Sequence, residues 1–262
     1  EFAPFYNAAQ AVLAPVLAAA ANSPILFGKR LWAETRIALF QQSLDTRNTS
    51  VHQRDVLPRV RFGEHWVEGS VVELFQEDIA RFRVILAEDI EEDPLALLRN
   101  GEIPGLKALQ LFNGTIYRWN RPCYGVMDGK PHLRIESRVL PSGPTVLDEV
   151  ANGAFWTGLV LGVAEEIGDV TRRLDFDEAR SNFLAAARLG LNAGFEWFDG
   201  ESLDARTLIR DRLLPMTDRA LRGAGVAGED VDKYLGVIRD RVDSGQNGAV
   251  WALRSAAKLK DE

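Results

Sequence analysis

The sequence predicts an α+β protein that is mainly helical and carries part of an antiparallel sheet. Three observations lead there. Apolar residues recur at steps of three and four over much of the chain, as in Val71, Leu74, Phe75, Ile79, Phe82, Ile85 and Leu86. Only two segments read as full strands, 115–120 (TIYRWN) and 132–139 (HLRIESRV). Two strands alone make no stable sheet, so further strands are expected from a missing segment or from a partner chain.

Taken in order, residues 4–21 are alanine-rich and apolar on nearly every side, the pattern of a buried helix. Pro15 removes one backbone donor, so a kink is expected there. The stretch 11–21 resembles a signal-peptide core, but no Lys or Arg precedes it, and it is too short to span a bilayer. Asn22-Ser23-Pro24 ends the helix, and a second helix is expected over 31–43. Residues 44–69 are polar and irregular, with a short strand expected at 59–62. A helix follows from Val71, giving way to the acidic run 88–93, which Pro94 stops. Asp128-Gly129 is a turn pair before the second strand, and Pro131 suits a strand's first residue. Thr145 and Asp148 form a capping-box-like start to a largely apolar helix. Further helices are expected over 176–190, 204–213, 216–223, 229–242 and 247–259. No internal repeat and no clear domain boundary stands out, so residues 1–262 read as one unit. The chain begins at Glu1 rather than Met, which with the missing strands suggests a piece of a longer protein.

The 262 residues carry a formal net charge of −7, which argues against a nucleic-acid coat, since phosphate binding needs surplus Lys and Arg. Cys123 is the only cysteine, so there is no internal disulfide and no zinc knuckle, and a reducing cytoplasm suits the chain. HExxH, CxxC, GxGxxG and GxSxG motifs are all absent. His52, His65 and His132 are scattered, without metal-ligand spacing.

The second strand is the most informative stretch. Side chains alternate faces along a strand, which puts Leu133, Ile135, Ser137 and Val139 on one side. His132, Arg134, Glu136 and Arg138 share the other, with a carboxylate midway between two guanidinium groups. The pattern suits an anionic, metal-bearing ligand, because arginine pairs planar oxyanions and a carboxylate can hold Mg2+ against a phosphate. The plainer alternative is a solvated strand with ladder ion pairs. Tyr117, Trp119 and Arg121 share a face of the first strand, either as a pocket wall or as core packing. The turn at Asn22-Ser23 and the segment 244–249 before Trp251 each offer backbone N–H groups to an anion, or simply link helices. The acidic run could supply oxygen ligands to a divalent cation, but a solvated turn is the plainer reading.

Several segments together resemble glutamate–cysteine ligase family 2, the carboxylate–amine ligases. They are ANSP at 21–24 followed by a glycine and Arg36, TIYRWNRP at 115–122, HLRIESRVLPSGPTVLDEV at 132–150, AARLGLNA at 186–193 and RVDSGQNGAVWALR at 241–254. The branch resembled is the bacterial one sometimes fused to CBS domains. The resemblance implies a glutamine-synthetase-like catalytic domain, an antiparallel funnel backed by helices, of which this chain is the C-terminal portion without its N-terminal half. It implies ATP and Mg2+, a carboxylate such as glutamate activated as an acyl phosphate, and an amine acceptor. By the same resemblance Glu136 is the metal ligand, and Arg138 and Arg36 are the catalytic arginines. Asn22, Trp119, Arg121 and Arg134 then bind substrate or nucleotide. The segment 28–36 and the tail around Gln246-Asn247-Gly248 and Trp251 depart from better-known members, so cysteine is not assumed as the amine. A degenerate ligase fold acting as a nucleotide or amino-acid sensor, or as a scaffold, is the competing expectation. A helical interaction module with a merely solvated strand is a third. A homo-oligomer is possible, and neither a membrane nor a nucleic acid is expected as a partner.

Overall fold

A computed structural model describes residues 2–45 and 58–261. The chain opens with α1 (Phe2–Ala11) and α2 (Leu13–Ala20), bent by 44° at Val12. The cause is Pro15, which has no N–H to offer the Ala11 carbonyl four residues back and whose ring crowds it. Neighbouring ladder bonds survive, from the Val12 N–H to the Ala8 carbonyl (3.1 Å) and from the Val16 N–H to the Val12 carbonyl (3.2 Å). Every residue of α2 is buried, as its apolar circumference predicts. No single helix among the described residues is long and apolar enough to cross a membrane.

A tight hairpin follows, β1 (Ile25–Leu26) with β2 (Lys29–Arg30), and then α3 (Thr35–Ser43). The expected start at residue 31 therefore moves to Thr35. A short strand does form within 59–62, β3 (Val60–Arg61), and α4 (Val72–Arg81) is shorter than its periodicity suggests. Two unexpected short helices come next, α5 (Pro94–Arg99) and α6 (Lys107–Gly114). Asp93 caps α5 through the Leu95 and Ala96 N–H groups, with Pro94 where its missing donor costs nothing.

The expected first strand divides. β4 (Tyr117–Arg118) runs parallel to β3, and the longer β5 (Asn120–Met127) pairs antiparallel with β6 (Lys130–Ser137). Asp128 and Gly129 join them with φ of 51° and 71°, the two left-handed residues that a tight hairpin turn requires. With β7 (Gly194–Glu196) and β8 (Ser202–Asp204), all pairings among the described residues are two-stranded.

The helical body is α7 (Val146–Gly162), α8 (Phe176–Leu189), α9 (Ala205–Leu208), α10 (Leu214–Gly223), α11 (Gly228–Ser244) and α12 (Gly248–Asp261). α7 packs on α10 and α11, and α2 packs on α8. Gly158 allows the α7–α10 approach: a Cβ there would sit 2.5 Å from Thr217 Cγ2 and 2.8 Å from Leu221 Cγ. The break expected near residue 214 is a widened π turn over Ile209–Leu213, so the helix continues past Pro215. Trp119, Phe155, Phe183, Leu13, Leu17 and Leu159 fill the core. Each buried side chain of this size contributes about 1.5–3 kcal/mol.

Candidate functional site

The β5–β6 register sets Arg121 opposite Glu136, Cys123 opposite Arg134 and Gly125 opposite His132. The alternation read from the sequence thus becomes one charged face. Arg121 reaches Glu136 Oε2 with Nε at 2.8 Å and Nη2 at 2.5 Å. Arg138 Nε lies 3.3 Å from Oε1, and the Cys123 thiol donates to Oε2 at 3.4 Å. Burial pushes the Glu136 carboxyl up, but the Arg121 hydrogen bond and the charges of Arg138 and Arg121 outweigh it and hold the group below the usual range. Burial and the Glu136 carboxylate raise the Cys123 thiol, so it stays protonated as a donor. Glu136 remains 39% exposed at its side chain, so this ion pairing is screened and leaves the carboxylate approachable.

The two aromatic residues of the first strand brace the arginines. The Arg138 guanidinium lies over the Tyr117 ring at 5.2 Å and that of Arg36 over Trp119 at 5.9 Å. Trp119 is buried against Phe40 and Phe183, so it is core packing as much as wall. The Arg138 N–H donates to the Trp119 carbonyl at 2.8 Å. Arg138 Nη1 and Trp119 Nε1 are both buried donors without a partner among the described residues. Buried donors are rarely left so.

Arg36 is tied down. Its Nε donates to Glu34 at 3.2 Å, Nη1 to the Arg138 carbonyl at 3.4 Å and Nη2 to the Val139 carbonyl. Asn22 joins the same network from behind. Its N–H donates to Glu34 Oε2 at 2.7 Å, beside Ser23 Oγ donating to Oε1 at 2.7 Å. The Asn22 side chain turns away, donating to the Ser142 carbonyl at 2.6 Å. It lines a separate cleft of about 680 Å³ with Thr145, Asp148, Arg241, Gln246 and Trp251. There Asn247 caps α12 through the Val250 N–H, so the segment 244–249 is a helix-capping turn. Arg134 lies 2.7 Å from His132 Nε2 and, with Arg121 and Cys123, lines a hollow of about 160 Å³. Arg36, Trp119, Arg121, Glu136 and Arg138 thus form one contact chain. Arg134 borders it, and Asn22 is linked through Glu34. His65 is half exposed, with Nδ1 2.8 Å from its own neighbour's carbonyl and Nε2 4.0 Å from Glu77, while His52 lies outside the described residues.

Two features escaped the sequence reading. Glu34 is one, a fully buried carboxylate in the segment marked only as a departure from the family pattern. The other is a buried ion cluster. Arg118 lies 2.7 Å from Asp78 and 2.8 Å from Glu77, and Arg61 lies 2.8 Å from Asp78 and 2.9 Å from Glu77. It pins α4 to the β3–β4 pair, and thereby the start of β5. The Tyr6 hydroxyl donates nearby to the Asn120 carbonyl at 2.9 Å, and burial pushes its pKa up to about 12.

No group of three or more acidic, His or Cys side chains able to hold a metal gathers among the described residues. A cation caged by these residues alone does not fit. A magnesium ion carried in by phosphates does fit, because it commonly takes only one or two carboxylates from the protein. The acidic run is a solvated connection: Glu92 accepts from the Gly105 N–H at 3.0 Å, and Asp93 caps α5.

The fold is thus a helical body carrying a hairpin on which two arginines flank a carboxylate. The family model of glutamate–cysteine ligase family 2 matches residues 3–261, and the chain belongs to that family. Membership makes it a protein of ligase type. No curated protein sequence matches it.

Proposed function

We propose that this chain is the helical and hairpin part of an ATP- and Mg2+-dependent carboxylate–amine ligase, with glutamate or a similar acid as the carboxylate. The observation that carries this is the Arg121–Glu136–Arg138 clamp, whose central carboxylate is 39% exposed. Phosphoryl transfer is governed by positioning and charge neutralisation, which is what two arginines around one carboxylate provide. Arg138 and Arg121 neutralise phosphate oxygens, Trp119 and Tyr117 hold the arginine planes, and Glu136 gives one ligand to magnesium. When bound, the ion supplies further charge neutralisation and alignment of the phosphates. Arg134 and Asn22 contact substrate or nucleotide at the edges.

On this reading the remaining strands and acidic ligands come from chain outside residues 1–262, pairing with the open hairpin. The protein is then cytoplasmic, with a branch resemblance to the CBS-fused bacterial members. The test is ADP formation by the intact protein given Mg-ATP, glutamate and candidate amines. Loss of turnover in Glu136→Ala with the fold retained supports the reading, and wild-type turnover in that variant overturns it. A second reading, a non-catalytic nucleotide or amino-acid sensor, is favoured by the engagement of both Glu136 oxygens with arginines. Binding of Mg-ATP without phosphate release would select it.

A further inference from the structure

Glu34 is completely buried, yet it carries a carboxylate. Burying a charge is costly unless it is paired and hydrogen-bonded. Three donors converge on it: the Asn22 N–H at 2.7 Å, the Ser23 hydroxyl at 2.7 Å and Arg36 Nε at 3.2 Å. Its own backbone is fixed as well, because its N–H donates to the Ala187 carbonyl at 2.8 Å, at the end of α8. The carboxylate is therefore an anchored point from which the Arg36 guanidinium is aimed.

What Arg36 does next gives the anchor its meaning. Its two Nη groups donate to the carbonyls of Arg138 and Val139, the residues that follow β6. A planar fork held at Nε leaves little freedom at Nη, so the peptide units at 138 and 139 are fixed in turn. Arg138 leaves that backbone with its Nε on Glu136 and its Nη1 unpartnered. The chain of contact runs from Glu34 through Arg36 to the backbone of Arg138 and ends at its guanidinium. We propose that Glu34 is a positioning residue for Arg138, acting through Arg36 and touching no substrate itself. This rests on the ligase reading above, in which Arg138 meets the phosphates of Mg-ATP.

All three partners present hydrogens to Glu34, so an amide in its place sets an N–H₂ group against a donor whichever way it is turned. Glu34→Gln therefore breaks the aim of Arg36 while nearly keeping the volume. The experiment is calorimetric titration of the intact protein with Mg-ATP for wild type, Glu34→Gln, Arg36→Ala and the double variant, with melting temperatures alongside. The expected result is at least tenfold weaker binding in each single variant and no further loss in the double, because both changes cut one chain of contacts. Wild-type affinity in Glu34→Gln, or losses that multiply in the double variant, would overturn the proposal. Should Glu34→Gln fail to fold, Arg36→Lys decides: it keeps a charge beside Glu34 but loses the fork, so tenfold weaker binding supports the proposal and unchanged binding overturns it. Failure of wild type itself to bind Mg-ATP would instead bring down the ligase reading, and this inference with it.

Discussion

Glu136→Gln separates fold from function at the point where the two meet. The change removes a charge that faces Arg121 at 2.5 Å and Arg138 at 3.3 Å, but the side chain is 39% exposed. Partly solvated pairs contribute roughly 0.2–1 kcal/mol each, so the two together give about 1 kcal/mol after screening. For a chain of this size 1 kcal/mol shifts the melting temperature by about 2–4 °C. The pH dependence carries a sign. Arginine pairing sets the folded pKa of Glu136 below the usual carboxylate value despite partial burial, so its stabilisation is present above about pH 4.3. It is lost as the pH falls through the folded pKa, and the gap between wild type and Glu136→Gln should close there. Turnover should fall by about 10²–10³ or more, the usual cost of removing one preorganised electrostatic partner. Differential scanning calorimetry at pH 7 and below pH 4 reads the first effect, and phosphate release from Mg-ATP in the presence of glutamate reads the second. Unimpaired phosphate release, or a melting point lowered by more than 10 °C, would refute the reasoning by making Glu136 idle or purely structural.

Asp78→Ala leaves two buried arginines, Arg118 and Arg61, sharing Glu77, with Glu64 at 3.6 Å from Arg61 alone, and should cost about 3 kcal/mol in chemical denaturation; a loss below 1 kcal/mol would show that the cluster contributes little. Gly158→Ala gains up to about 1 kcal/mol in helix propensity but drives a Cβ to 2.5 Å from Thr217, so the melting temperature should fall; a rise would contradict the close α7–α10 packing. Tyr6 should ionise near pH 12, seen as a late step in absorbance at 295 nm that is missing from Tyr6→Phe. Its raised pKa stabilises the fold below about pH 10, and that contribution should vanish between pH 10 and 12.

The helical body was legible because its signals are local. Periodic apolar faces, the Thr145 cap and the Asp128-Gly129 turn each act within a few residues. The charged face of β6 was legible for the same reason, since period two alone separates Glu136 and Arg138 from Ile135. The start of β5 was not. Pro122 argues against a strand through it, and the tolerance for it comes from the pairing with β6 together with the Asn113 amide on its carbonyl at 2.8 Å. α5 and α6 are too short for periodicity to reveal. Glu34 was invisible in principle, because a carboxylate two residues before an arginine looks like any exposed pair. Only its enclosure by Asn22, Ser23 and the end of α8 makes it special, and those are contacts across 11 residues and more. Of the five segments that carried the family resemblance, 186–193 and 241–254 are largely structural. Gly190 packs closely on its neighbours, with a Cβ there falling 3.2 Å from Ala33, 3.4 Å from Asn247 and 3.7 Å from Ala21. The proposed site is confined to the hairpin and to its support by Arg36.

Oxygen transfer tests the activation step itself. If the intact protein joins glutamate to an amine by way of an acyl phosphate, one carboxylate oxygen leaves with the phosphate when nitrogen displaces it. Turnover with glutamate labelled with heavy oxygen in its carboxylates should then yield inorganic phosphate carrying one labelled atom per amide formed, read by mass spectrometry. Phosphate that emerges without label while amide accumulates would contradict the account.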